Sequence, residues 1–141
     1  MLLGMADYTV KRIDEMDTAF AGTFKRARAE LGVQSFGMQV IDLPPNLDQY
    51  PEHDHAEAGQ EEVFWVVRGS GEIEIDGERQ ALDPEVMVRV GPAARRKIYS
   101  GPEGLRLIAL GGVPGKAYEA PDVTQVGAPD PLQQQQEQQQ A

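Results

Sequence analysis

From residue 62 onward the chain alternates as only a strand does. Phe64 and Val66 fall on one face, and Val63, Trp65 and Val67 on the other. Both faces are apolar, so residues 62–68 predict a strand buried on both sides: one face lines an interior, and the other meets a second layer or a partner subunit. After a turn at Ser70-Gly71, residues 72–75 alternate again and end at Asp76-Gly77, the strongest short-range hairpin signal, with residues 78–82 as the return strand. Asp83-Pro84 turns the chain once more. Residues 86–90, 96–99 and 104–110 read as further short strands, punctuated by Gly91-Pro92 and Gly111-Gly112. Upstream, residues 33–43 predict a strand that Pro44-Pro45 closes. Residues 8–13 predict an edge strand. Residues 17–31 predict the one helix: Asp17 is its N-cap, Phe20, Phe24, Ala27 and Leu31 form an apolar stripe, and Gly32 is the C-cap signal. Lys25, Arg26 and Arg28 take its solvent side, and Gly22 breaks the pattern, so the helix starts at Asp17 or after Gly22.

Seven to nine short strands with frequent turns predict an all-β sandwich or jelly-roll β-barrel. Composition agrees: 15 glycines and 10 prolines in 141 residues suit a turn-rich barrel, and 40% hydrophobic residues suit a single core. The tail after Tyr118 turns to Pro, Gly, Asp and Gln, and residues 133–140 are glutamine but for Glu137. The predicted organisation is therefore an N-terminal strand and helix (1–32), a barrel (33–118) and a disordered glutamine-rich tail (119–141). The opening Met1 to Met5 does not read as a signal peptide, because its apolar stretch is short and no basic residue precedes it.

Charge narrows the partners. A net charge of −10 repels phosphate backbones and anionic lipid, which predicts a small-molecule ligand and no nucleic-acid or membrane partner. No cysteine is present, so thiol nucleophiles and thiolate metal sites are excluded, and the expected compartment is the cytoplasm. A serine elbow, a phosphate loop and a dinucleotide fingerprint are also missing from the pattern.

The two histidines, His53 and His55, stand two apart, which in an extended segment puts both rings on one face. With one carboxylate from Glu57, Glu61 or Glu62 they form a candidate two-His, one-carboxylate site with open positions. Glu62 shares the parity of Phe64 and Val66 and is placed to point inward. His53-Asp54-His55, then Glu62, then six residues and Gly69 resembles the first motif of the cupin family, and the resemblance spans roughly residues 35–112. It implies a single cupin-type jelly-roll β-barrel with His53, His55 and Glu62 as ligands of a divalent metal (Fe, Mn, Zn or Ni). The implied chemistry is of oxygenase or isomerase type on a small organic molecule.

The chain departs from that family at several places. Six residues separate His55 from Glu62 where three or four are usual, and Leu47 stands where a glycine is expected. Glu85, Gly91, Ala93, Arg96 and Ser100 occupy the positions of the second motif without matching it, and Arg96 replaces the fourth metal ligand. A guanidinium has no lone pair for a metal. Two readings follow. A three-ligand metal site persists, helped by Gln60, Gln39 or Tyr99; or the metal is lost, and Arg96 enters the cavity to pair with Glu62 or an anionic ligand. Alternation puts Arg96 with Ile98, and Tyr99 with Arg95 and Lys97, without saying which face is inside. Arg95-Arg96-Lys97 as a solvated cluster is the plain alternative. Met38 and Met87 are expected to fill the barrel or line its pocket, Trp65 to lie in the core or an interface, and the apolar second face of residues 63–67 predicts a homodimer.

Overall fold

Two long bent strands carry the architecture of the computed structural model, which describes residues 6–140. The opening Met1 to Met5 stretch lies outside the described residues. The strands are β1 (Thr18–Ala19), β2 (Phe24–Lys25), β3 (Gly37–Leu43), β4 (Glu61–Ile75), β5 (Glu78–Leu82), β6 (Met87–Val90) and β7 (Arg96–Gly112). They form one antiparallel sheet in the order β1-β2-β3-β7-β4-β5, with β6 also on β4. The first half of β4 pairs with β6 and the end of β7, and its second half pairs with β5 and the start of β7. β4 and β7 thus pass from one layer of a jelly roll to the other.

The sequence reads each of these strands as two. The structure runs them through, with register shifts between Val66 and Arg68 and between Gly69 and Gly71. Such bulges bend a strand without ending it. Gly69 has φ +82°, and a Cβ there would run into the Gly104 carbonyl. Its place in the motif therefore has a steric cause. The Asp76-Gly77 hairpin forms as expected, both residues having positive φ.

Phe64 and Val66 point into the core with Ile41, Ile73, Ile98 and Leu107. The second face of β4 is only partly covered. Met16, Ala27 and Val40 form a small outer cluster against which Met38 and Ile108 pack. Val67 and Met87 remain 44% and 68% exposed. Neither Met38 nor Met87 fills the barrel, since both lie on its outer face.

The N-terminal expectations change most. Residues 8–13 form no strand, and the helix is only α1 (Ala27–Leu31), ended as expected by Gly32 at φ +79°. Phe20, Ala21 and Gly22 all take positive φ and turn the chain between β1 and β2. β2 then pairs with β3 through Phe24↔Ile41 and Lys25↔Val40, so tertiary pairing overrides the helical stripe. Lys25, Arg26 and Arg28, expected in solvent, are buried.

Arg26 explains the C-terminal finding. Its guanidinium bonds Asp17 at 2.6 Å and donates to the carbonyls of Val123 (2.9 Å) and Ala128 (2.8 Å). The stretch read as a disordered tail is thus docked over residues 121–130, and Pro131–Gln140 form a helix, α2, exposed along most of its length. Among the described residues no helix is long and apolar enough to cross a membrane.

Candidate metal site

The segment between β3 and β4 crosses the mouth of the barrel and bridges to β7. His53 N–H donates to the Arg96 carbonyl (3.0 Å) and Arg96 N–H to that of His53 (2.8 Å), while His55 N–H donates to the Pro92 carbonyl (2.9 Å). This extended pairing turns both imidazoles to one side, with ring centroids 5.0 Å apart. The long spacer closes on itself through Gly59 N–H to the His55 carbonyl and is absorbed as a loop. Glu62, the second residue of β4, lies on its inner face, as its parity implies. One donor atom each from His53, His55 and Glu62 lies within 4.8 Å of the others.

The hydrogen-bonding pattern suits a metal. His53 Nδ1 lies 3.0 Å from the Pro51 carbonyl. A carbonyl only accepts, so Nδ1 is the donor of this bond and Nε2 is the ring nitrogen left to a metal. His55 Nε2 is buried and makes no hydrogen bond of acceptable alignment, although Glu62 Oε1 lies 3.0 Å away. A buried imidazole nitrogen that makes no aligned hydrogen bond, beside a carboxylate, is a donor arrangement that fits a cation.

Arg96 answers the question of its facing. It is fully buried, inward with Ile98, and its Nη1 donates to Glu62 Oε1 at 2.6 Å. Nη2 donates to the carbonyls of Gly91 (2.7 Å) and Ala94 (3.0 Å). Of the basic triplet only Arg96 turns in, as Arg95 lies by Asp54 and Lys97 over the Tyr99 ring. Glu62 is therefore shared between the imidazole pair and a guanidinium.

The other nominated residues divide. Gln39 points into the barrel with its Oε1 buried and unpaired, and Gln60 lies against Gly111, where a Cβ would be 2.8 Å from its amide. Tyr99 is not brought to the site. It stands on the outer face, donates to Glu74 (2.9 Å), which raises its pKa, and lies under Arg79. Two tyrosines escaped the sequence reading. Tyr50 packs on the core with its ring 5.8 Å from that of His53, and burial and the Glu62 charge raise its pKa. The Tyr118 hydroxyl occupies the space over Gly37, where a Cβ would be 2.7 Å away. Gly37 pairs with Gly111 and Gly111 with Glu62, one inward row across the sheet. A pair of strand glycines in register marks a close approach, and that was the available signal.

Solved structures share this architecture. A cupin protein from Bacteroides fragilis superposes with TM-score 0.65 at 19% identity, over 83% of this chain and 93% of its own. The chain has the cupin fold. The cupin domain of an XRE family transcriptional regulator from Enterobacter cloacae matches at TM-score 0.50 and 27% identity, over 59% of this chain and 86% of that one. KdgF from Halomonas sp. matches at TM-score 0.50 and 16% identity, over 56% of this chain and 69% of that one. No protein-family model matches the sequence, and no curated protein is significantly similar to it. In this cupin barrel the three-residue donor set stands at the mouth, and an arginine stands where the family's resemblance puts a fourth ligand.

Proposed function

We propose that this cupin binds a divalent metal ion through His53, His55 and Glu62 and uses the site to bind or transform a small organic molecule. The carrying observation is the convergence of the three donors around a buried His55 Nε2 with no hydrogen-bond partner. Two imidazoles and one carboxylate suit Fe, Mn, Zn or Ni, and such an ion would supply Lewis acidity and open coordination positions. The protein's own groups supply the rest: Arg96 holds Glu62, Gln39 presents an unpaired acceptor, and Tyr50 flanks His53. With a net charge of −10, small molecules rather than nucleic acid or membranes are the partners this reading assigns.

The test is elemental analysis of untagged protein purified without chelator, with melting temperature as the second readout. Near-stoichiometric metal is expected. A hundredfold excess over Kd should raise Tm by about 5 °C or more, since binding to the native state alone is then worth about 2.7 kcal/mol. Replacing His53 or His55 by alanine should abolish both responses. Wild-type protein that takes up no metal and gains no stability would overturn the proposal.

The Arg96–Glu62 ion pair favours a second reading, a metal-free cupin that binds an anionic metabolite without catalysis. In that case divalent ions leave Tm unchanged in wild type and in the histidine variants alike.

A further inference from the structure

Plain alternation along β4 would turn Arg68 inward with Phe64 and Val66. The register shift prevents it: Val66 pairs with Leu107, Val67 is left over, and Arg68 pairs with Arg106. A bulge of this kind re-aims a side chain. Arg106 pairs onward with Asp42, while Ile41, Leu43, Leu105 and Leu107 point into the core. Asp42, Arg106 and Arg68 therefore form one row across the outer face of β3, β7 and β4. Like charges in register destabilise a sheet, and only one of this pair is answered. Arg106 is buried, with Nε and Nη2 spent on Asp42 and Asp14, and its Nη1 has no acceptor among the described residues. Arg68 is exposed, and no carboxylate pairs with it among the described residues, since Asp14 and Asp42 both go to Arg106.

Both guanidiniums line an open cleft of about 670 Å³. It lies at the Leu43 end of β3, about 20 Å of extended chain from Gly37 and the row that holds Glu62. Its walls are the β1–β2 turn at Gly22 and Thr23, Pro44 after β3, and β7 at Gly104. A Cβ on Gly22 would meet nothing within 4 Å, so the cleft is open on that side. Phe20 and Ala21 in the same turn take positive φ, a costly conformation for residues with a Cβ and one that gathers at ligand sites. Asp130 holds the turn, accepting from Ala21 N–H at 3.0 Å. Of the two lining carboxylates, Asp42 is taken by Arg106 and Lys25, and Glu103 is exposed.

We infer that this cleft binds the phosphoryl group of a small organic molecule, held by Arg68 and by Nη1 of Arg106. One guanidinium fork already satisfies a carboxylate, as Arg106 does with Asp42. A phosphoryl group brings three oxygens and up to two charges, which guanidiniums on neighbouring strands can share. The cleft volume is that of a small-molecule site and leaves room for the organic remainder. The site is separate from the histidine pair and stands whether or not a metal binds there.

The experiment uses the full chain, treated with chelator so that no metal can take up the probe. Inorganic phosphate is titrated to about 50 mM, the range for a site of millimolar Kd, while the backbone amides are followed by NMR. Sodium chloride keeps the ionic strength constant. The expected result is a saturable shift at Gly69 and Gly104 and none at His53 and His55. Arg68→Gln should bind phosphate about tenfold more weakly or worse, because the fork is lost. Arg68 is exposed, so the variant should fold as wild type does. Acetate should bind wild type at least about tenfold more weakly than phosphate, since it carries one charge and two oxygens. No saturable shift, a shift centred on His53 and His55, acetate binding equal to phosphate, or an Arg68→Gln variant that binds like wild type would each overturn the inference. If Arg68→Gln does not fold, the two probes on wild-type protein still decide. His53→Ala should keep the phosphate response, so failure of the metal reading shows only in metal uptake.

Discussion

Arg96 bears directly on the affinity of the proposed metal site. Its guanidinium is 2.6 Å from Glu62, so an ion on that carboxylate sits beside a fixed positive charge. Two unit charges about 5 Å apart repel by on the order of 3 kcal/mol at a protein's effective dielectric, and a divalent ion doubles that. Arg96→His removes the charge and puts an imidazole on the same inward position. We expect the variant to bind divalent metal at least about tenfold more tightly than wild type, read by calorimetry and by retention through dialysis. An affinity no higher than wild type would mean that position 96 does not face the ion. The convergence of His53, His55 and Glu62 was legible because two-residue periodicity aligns the imidazoles and Glu62 shares the parity of Phe64. The facing of Arg96 was not. Alternation says which residues share a face, while the inner face is chosen by the packing of Ile98 and by the Gly91 and Ala94 carbonyls that receive the guanidinium. Tyr50 and Tyr118 were equally hidden, since each arrives from a loop whose path no periodicity describes.

At the scale of elements, the barrel strands were legible and the two ends of the chain were not. The strands carry alternation and Asp-Gly, Pro-Pro and Gly-Gly punctuation. The stripe Phe20, Phe24, Ala27, Leu31 imitates a helix, but β2 gains a ladder with β3 and the helix shrinks to α1. The C-terminal stretch lacks periodicity because it docks by backbone: Val123 and Ala128 offer carbonyls to Arg26, and Gly127 N–H donates to Asp17 at 2.8 Å. Truncation after Tyr118 would strand Arg26 in the interior. Two lost hydrogen bonds to a charged donor cost about 3 kcal/mol or more, so Tm should fall by about 6 °C or more. Truncation after Leu132 removes nearly all of α2 and should leave Tm nearly unchanged. A Tyr118 truncation as stable as wild type would show that the docking contributes nothing. The gap between the two truncations should also depend on pH. The Gly127 N–H and then Arg26 hold the Asp17 pKa below its ordinary 3.8. A depressed carboxylate contributes stability above its unfolded value and loses it as pH falls through the folded one. The gap should persist down to about pH 4 and narrow below it.

The whole molecule leaves one apolar face partly bare, and the dimer proposal stands there. α1 and the N-terminal segment cover the outer side of β3 and β7 at Val40 and Ile108. Farther across the same sheet, Val63 stands beside Leu110 and Trp65 beside Met87. Phe36 is 41% exposed, Val67 44% and Met87 68%. Arg89 and Glu61 neutralise each other at the rim, 2.8 Å apart. A stable interface of this kind needs about 800 Å² from each partner, with an aromatic anchor near its centre, and Trp65 is the available anchor. Light scattering on the full chain should therefore give twice the 15.5 kDa of one chain at micromolar concentration. Met87→Glu places a charge in the face at an exposed position, where it costs the monomer little. It should weaken the dimer by at least about tenfold and make Trp65 fluorescence independent of protein concentration. A monomeric wild type, or a Met87→Glu variant that still dimerises as wild type does, would remove this face from the assembly.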